Sequence, residues 1–306
     1  NDNYLEPLDR DELWESVYKG LFEGAGDDYT VYMDKEEYDT YKEDVTGNYA
    51  GIGVRIMADD DKLVTVVSVF KSSPAAKAGI QTGDKIIGID EKDATKLTVD
   101  QAATYMRGEP GTKVKVTILR DKKELSMTIM RAKITTESVS GEILDENIGC
   151  IVISEFSSNV ASQFIAELDD QLDKGITSLI IDLRNNPGGD VAETLTIADR
   201  ILGKALIIYT ENNVGKKQEY TSTASLSLDI PLVVLINEYS ASASEILAAA
   251  LKENDAATLI GAKSYGKGII QSFRGMNDGS GYKITVEQYF SPKGNTIHKV
   301  GIEPDI

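Results

Sequence analysis

The sequence predicts an α/β core carrying a separate, mostly β module and a short helical segment at its N-terminus. Three observations carry that expectation. From Ile148 onward, short apolar runs alternate with stretches of helical periodicity, the βαβαβ order of a sheet with buried, largely parallel strands. Between Tyr49 and about Lys133 the pattern shortens to that of strands, with Val- and Ile-rich runs separated by glycines. At 306 residues, 41% hydrophobic and 27% charged, the chain has material for two compact domains with separate cores.

The elements follow in order. Leu13, Trp14, Val17, Leu21 and Phe22 recur at helical spacing between Asp9 and Gly24, and Gly24 and Gly26 stop the pattern. A second short helix is expected over Lys35–Lys42, which makes 1–48 a helical segment packing on the core. The β module, 49–133, has strands expected at Gly51–Met57, Leu63–Val69, Lys85–Ile89, Lys113–Leu119 and Leu125–Arg131. Its helix falls at Asp100–Met106, and Gly79, Gly83 and Gly111 fall where turns are needed. The core, 134–306, is read as strand Ile148–Ile153, helix Val160–Leu172, strand Ser178–Leu183, helix Val191–Leu202 and strand Leu232–Ile236. A helix from Ala243 to Lys252 follows, then strand Thr258–Ile260 and further strand-like runs.

Charge narrows the function classes. Fifty acidic against 32 basic residues give a net charge of −18, which opposes broad contact with phosphate backbones or anionic lipid, so no nucleic acid partner is expected. Residues 1–50 hold 15 acidic and 4 basic side chains and so supply −11 of that charge, the pattern of a solvated helical surface. The single cysteine, Cys150, cannot form an internal disulfide and leaves the redox compartment undetermined. No apolar run reaches membrane-span length, and Asn1–Leu5 lacks the charged-then-apolar pattern of a signal peptide. The chain starts without Met, as expected if an upstream signal or anchor has been removed.

Three stretches carry chemistry. In Asn237-Glu238-Tyr239-Ser240-Ala241-Ser242-Ala243-Ser244-Glu245, a strand passes into a helix through three serines. A serine there can be exposed, and the N–H freed by the helix start can stabilise an oxyanion. The same residues also read as a Ser-x-x-Glu capping box. An imidazole base is nearly excluded, because the only histidine, His298, lies in a strand-like alternation. Lys267, set between Gly266 and Gly268, is the best alternative if its surroundings leave the amine neutral.

Gly261–Lys267 also matches the first seven positions of a phosphate loop, but Gly268 replaces the Ser or Thr and Ile269–Phe273 reads as a strand. Upstream, Asp182-Leu183-Arg184-Asn185-Asn186-Pro187-Gly188-Gly189 ends a buried strand in a glycine turn, at the strand edge where α/β active sites gather. In the β module, Gly51-Ile52-Gly53-Val54 can converge backbone N–H groups on an anion such as a peptide C-terminus.

The β module, with Ser73-Pro74-Ala75-Ala76-Lys77-Ala78-Gly79 and Gly83-Asp84-Lys85-Ile86-Ile87-Gly88-Ile89, closely resembles PDZ domains. That resemblance implies a groove for free C-termini lined by Ile52, Gly53 and Val54. Taken with Asp28–Tyr32, Tyr265-Gly266-Lys267-Gly268-Ile269-Ile270-Gln271 and Gly301–Asp305, the chain from about Asp27 to Ile306 resembles the C-terminal processing peptidases, or tail-specific proteases.

The resemblance implies a crotonase/ClpP-like peptidase core with an inserted PDZ domain. It also implies a serine endopeptidase with Ser242 as nucleophile, Lys267 as general base, Gln271 orienting the lysine, and an oxyanion hole from the N–H groups of Gly188 and Ala243. The substrates implied are proteins with apolar, unstructured C-termini, with no metal or organic cofactor, an extracytoplasmic location, and room for a homo-oligomer. Tyr239 departs from the family pattern, where glycine is frequent, and adds bulk beside the nucleophile. Two other classes stand against this reading: a non-catalytic ligand-binding protein of the same fold, and a PDZ scaffold with a structural α/β half.

Overall fold

The computed structural model describes residues 8–306 except 47, 60–61, 71–72, 136 and 224–226. The chain divides into two compact units, one formed by residues 1–45 and 138–306, the other by 46–137.

The first unit is the predicted α/β core. One sheet has the strand order Val139–Leu144, Ile148–Ile153, Ser178–Asp182, Leu232–Ile236, Thr258–Gly261. The last four run parallel and Val139–Leu144 adds an antiparallel edge. These parallel strands are apolar runs because helices cover them: Val160–Asp173, Val191–Ile201 and Ala243–Glu253 share one core with them. Phe164, Leu168, Ile181, Val234 and Ile246 are fully enclosed there. Every residue from Ala243 to Leu251 is buried, so this helix is an internal axle of the unit.

A second sheet is antiparallel; only Ile269–Gly275 and Gly281–Phe290 fall in the strand-like runs expected after Ile260, and its other three strands were not foreseen. Its order is Val31–Met33, Gly281–Phe290, Leu206–Asn212, Lys217–Thr221, with Ile269–Gly275 also pairing to Gly281–Phe290. Val31–Met33 thereby stitches the N-terminal segment onto the end of the chain. The N-terminal helix, Arg10–Glu23, is capped by Asp9 but buries none of its residues. Leu13, Trp14, Val17 and Leu21 stay exposed, and the inward contacts are rings, Tyr18 against Tyr32 and Phe22 against Tyr32 and Tyr282. The helical stripe read from the sequence is real, but it packs more thinly than its periodicity implies.

The second unit holds a sheet ordered Val54–Ala58, Val64–Val69, Lys85–Ile89, Lys113–Arg120, Lys123–Met130, closed by the pair Asn48–Gly51 and Ala132–Thr135. Alternate residues Val114, Val116 and Ile118 face its core beside Ile86, Ile89 and Ile129. Helix Pro74–Ala78 starts on a Ser73 cap and ends at Gly79, whose φ of 84° suits glycine. Thr98 and Gln101 form a reciprocal capping box on helix Val99–Met106.

Among the described residues no helix is long and apolar enough to cross a membrane.

Candidate active site

The parallel pairing of Ser178–Asp182 with Leu232–Ile236 sends two loops off the same edge of the sheet. They are laced together. Asn185 and Asn237 exchange hydrogen bonds of 2.9 Å, Ala241 N–H donates to Asn186 O at 3.0 Å, and Ser240 Oγ donates to Leu183 O at 2.8 Å. Ser244 Oγ donates to Asn186 O at 3.0 Å. Ser240 and Ser244 are fully buried, and their hydroxyls are consumed in holding the loops.

Ser242 differs from both. It is only half-buried, its backbone sits at φ 55°, ψ −115°, and the Glu245 N–H donates to Ser242 O at 2.8 Å rather than to the hydroxyl. A non-glycine residue held there stores about 1–3 kcal/mol of strain and needs surroundings that impose it. Gly188 is one of them: a Cβ on it would lie 2.6 Å from Ala241 O and 2.7 Å from Ser242 Cβ. Gly189 is equally tight, since a Cβ there would meet Phe156 O at 2.3 Å. Gly188 lets the loop press directly against the serine turn, and Gly189 lets it press against Phe156 on its other side.

The two expected oxyanion donors differ in availability. Ala243 N–H, the first of the helix, has no backbone acceptor among the described residues. Gly188 N–H instead donates to Asn186 Oδ1 at 2.9 Å, and Asn186 is itself anchored by its Nδ2 on Ile153 O at 2.8 Å. In this conformation one donor is free and the other is engaged.

Glu245 links the serine turn to the lysine loop. The sequence marks it as the acidic half of a capping box, and Ser242 N–H does donate to its Oε2 at 2.8 Å. Its fully buried carboxylate also accepts from Ser264 Oγ at 2.6 Å, Gly266 N at 2.7 Å and Lys267 N at 2.8 Å. Tyr289, likewise fully buried, adds a second link: its hydroxyl donates to Ser242 O at 3.1 Å and to Lys267 O. The 25 residues separating the two loops are thereby bridged at backbone level.

The lysine loop is also clamped from outside. Lys299 N–H donates to Gly266 O at 2.8 Å and Tyr289 N–H to Gly268 O at 3.0 Å, and a Cβ on Gly268 would lie 2.3 Å from His298 N. Ile269–Gly275 is a strand, so Gly261–Lys267 lacks the helix that a phosphate loop requires.

Lys267 itself is half-buried. Burial lowers its pKa below the usual lysine value, Lys283 nearby lowers it further, and Glu245 opposes them. Its Nζ lies 4.7 Å from the centroid of the Tyr29 ring. No hydrogen bond joins the Lys267 amine to Ser242 Oγ or to Gln271 among the described residues. Gln271, expected to orient the lysine, sits beside a bulge in its strand, and its buried Nε2 has no partner. The expected constellation is brought together in the backbone, but its side chains are not bonded to one another in this conformation. Tyr29, Lys283 and Tyr289 were missed as participants. Tyr29 had a signal in the Asp28–Tyr32 stretch, whereas Tyr289 had none.

In the second unit, Ile52, Gly53 and Val54 line a small cavity of about 60 Å³ with Gly51, Ile56, Ala103, Met106 and Arg107. Gly53 takes φ +82° and its Cβ position is filled by Ser73 Cβ at 2.4 Å. The carbonyls of Ile52 and Gly53 accept from Ala75 N and Phe70 N. Their own N–H groups have no backbone acceptor among the described residues. Free donors beside Ile56, Ala103 and Met106 suit a carboxylate followed by an apolar side chain.

Comparison with known proteins places this geometry in context. A model of peptidase family S41 matches residues 147–306, and one of the PDZ domain matches residues 50–130. The chain is 35% identical over 306 residues to the carboxy-terminal processing protease CtpA of Bacillus subtilis (strain 168), covering 99% of this chain and 66% of that protein. It is 37% identical over 313 residues to CtpB of the same organism, covering 100% of this chain and 65% of the relative. The chain thus spans about two thirds of the length of these curated relatives. Among solved structures, the photosystem II D1 C-terminal processing protease matches with a TM-score of 0.61 at 26% identity, covering 99% of this chain and 83% of that one.

Proposed function

The chain belongs to peptidase family S41, and on that premise we propose that it is a serine endopeptidase cutting proteins near their C-termini. The observation that carries the reading is the strained Ser242 at a buried helix start, tied through Glu245 to the loop of a half-buried lysine. A substrate tail is taken by the groove at Ile52, Gly53 and Val54. Neutral Lys267 accepts the Ser242 hydroxyl proton as Oγ attacks the scissile carbonyl. Ala243 N–H, and Gly188 N–H once it turns from Asn186 Oδ1, stabilise the tetrahedral oxyanion. Protonated Lys267 then gives its proton to the leaving amine, and water releases the acyl-enzyme. Gln271 orients the amine during these transfers. The location that fits this activity is outside the cytoplasm.

Two results test the reading. The reactive amine must be neutral, and burial with the Lys283 charge holds its pKa below the ordinary 10.5. Cleavage therefore rises with pH through that lowered value and levels off before pH 10.5. A profile still climbing steeply beyond it would place the base elsewhere. For the groove, amidating the C-terminus of an apolar-tailed substrate removes the charge that its free N–H groups receive. Such bonds contribute about 1.5–3 kcal/mol each, so KM should rise by roughly tenfold or more with kcat little changed. Equal KM for the acid and the amide would remove the tail from the recognition step.

A further inference from the structure

The Tyr29 turn is built with more care than a connecting segment requires. Asp27 Oδ1 accepts Tyr29 N–H at 3.1 Å, and its Oδ2 accepts Thr30 Oγ1 and, across the unit, Thr285 Oγ1, each at 2.6 Å. Thr30 Oγ1 in turn accepts Thr285 N–H at 3.2 Å. These bonds pin the turn onto strand Gly281–Phe290 and fix the Tyr29 ring in front of Lys267 Nζ, 4.7 Å from its centroid. The ammonium has no ion pair or hydrogen bond among the described residues, so the ring face is the favourable contact available to its charge. The amide nitrogen of Gln271, opposite Thr285 in the ladder, is left buried and unpartnered.

We propose that the Tyr29 ring is the resting seat of the Lys267 ammonium, holding the general base apart from Ser242 until it loses its proton or the turn is displaced. This rests on the reading of Lys267 as the base. An aromatic face attracts the ammonium and not the neutral amine, so the seat is self-releasing: deprotonation removes the attraction and frees the amine toward Ser242 and Gln271. Any substrate segment that moves the Asp27–Thr30 turn releases it as well.

The charged and titratable groups around Lys267 set the sign of the effect. Lys283, on the strand beneath, disfavours the ammonium; Glu245, on the helix Ala243–Glu253, favours it. Tyr29 has its phenol raised by burial and by the neighbouring Tyr265 phenol, and Tyr289 is raised well above the usual tyrosine value, chiefly by burial. Both stay uncharged near neutral pH. Asp27 faces Lys283 and His298, favouring the charged form of each. The ring thus opposes Lys283 in setting how readily the base is freed.

The test is a titration of the Lys267 side chain by NMR with ¹³C-labelled lysine, its signal identified by its loss in Lys267→Arg, alongside the pH profile of cleavage. Tyr29→Leu should lower the Lys267 midpoint by about 0.5 to 1 in pH and move the acid limb of activity down by the same amount, raising cleavage below that limb by several-fold. Tyr29→Phe, which keeps the ring and loses the hydroxyl, should leave the midpoint near the wild type. Lys283→Met should move it the opposite way, upward. The same midpoint in the Leu, Phe and wild-type proteins would overturn the proposal, as would a Leu variant whose midpoint rises. The NMR midpoint reads the Tyr29 contact without any turnover. Absent cleavage alongside a shifted midpoint would therefore refute the peptidase reading while leaving the ring contact intact.

Discussion

Lys267→Ala lowers cleavage of an unfolded, apolar-tailed protein by about a thousandfold or more at neutral pH, with the fold retained. General acid–base catalysis contributes roughly a hundred- to ten-thousandfold, and in the proposed mechanism a single amine serves both the attack and the departure of the leaving group. The only histidine, His298, packs its backbone against Gly268 and makes no hydrogen bond to Ser242 among the described residues, so no imidazole is bonded to the nucleophile. Lys267→Arg should be equally inactive, because a guanidinium keeps its proton at any working pH. Ser242→Ala should lose at least as much, and the double variant should be no worse than the poorer single one, since a nucleophile and its base act as a unit. Full additivity of the two losses would mean that they serve separate steps. The folded state is checked by circular dichroism, where half-buried Lys267 and Ser242 predict little change.

Glu245→Gln has the next largest effect, and for a different reason. The carboxylate receives four donors, from Ser242, Ser264, Gly266 and Lys267. A glutamine keeps one acceptor oxygen and turns an NH₂ group toward donors, leaving buried N–H groups unpaired at about 1–3 kcal/mol each. A destabilisation of about 2–4 kcal/mol is expected from denaturant unfolding. More diagnostic is kcat, because small displacements of reacting groups reduce turnover by about a hundredfold. Loss of kcat with KM nearly unchanged identifies Glu245 as a positioning residue. Were it only a helix cap, the change would cost about 0.5–2 kcal/mol and spare kcat. Ser264→Ala leaves the other three bonds to the carboxylate but also orphans the Ile302 N–H, which donates to Ser264 Oγ at 2.6 Å, so it should cost about 1–3 kcal/mol of stability while largely sparing kcat.

The core strands were legible because parallel strands covered by helices must be apolar throughout, as in Ile148–Ile153 and Leu232–Ile236. Val139–Leu144 and Lys217–Thr221 escaped notice because they are exposed strands at sheet edges, where Ser, Gly, Glu and Lys carry no alternation. Val31–Met33 is too short to show a period and depends on pairing with residues some 250 positions away.

The site divides along the same line. Ser240, Ser242 and Ser244 are indistinguishable by residue type, and the positive φ that sets Ser242 apart arises from packing against Gly188, a distant neighbour in sequence. The Ser-x-x-Glu pattern correctly marked Ser242 and Glu245 as partners. Three of the four bonds to that glutamate come from Ser264, Gly266 and Lys267, all on a distant loop, which no local pattern records. The seat of Lys267 on Tyr29 likewise depends on Asp27 meeting Thr285.

The most direct test of the Ser242–Lys267 pairing is labelling with a peptidyl fluorophosphonate, read by intact mass and peptide mapping. Phosphonylation requires a serine activated by a base and needs no turnover of a protein substrate. The account predicts one adduct per chain, on Ser242, formed faster as pH rises and slowed by about a hundredfold or more in Lys267→Ala. An adduct on Ser240 or Ser244, or equal labelling of Ser242 without Lys267, would contradict it.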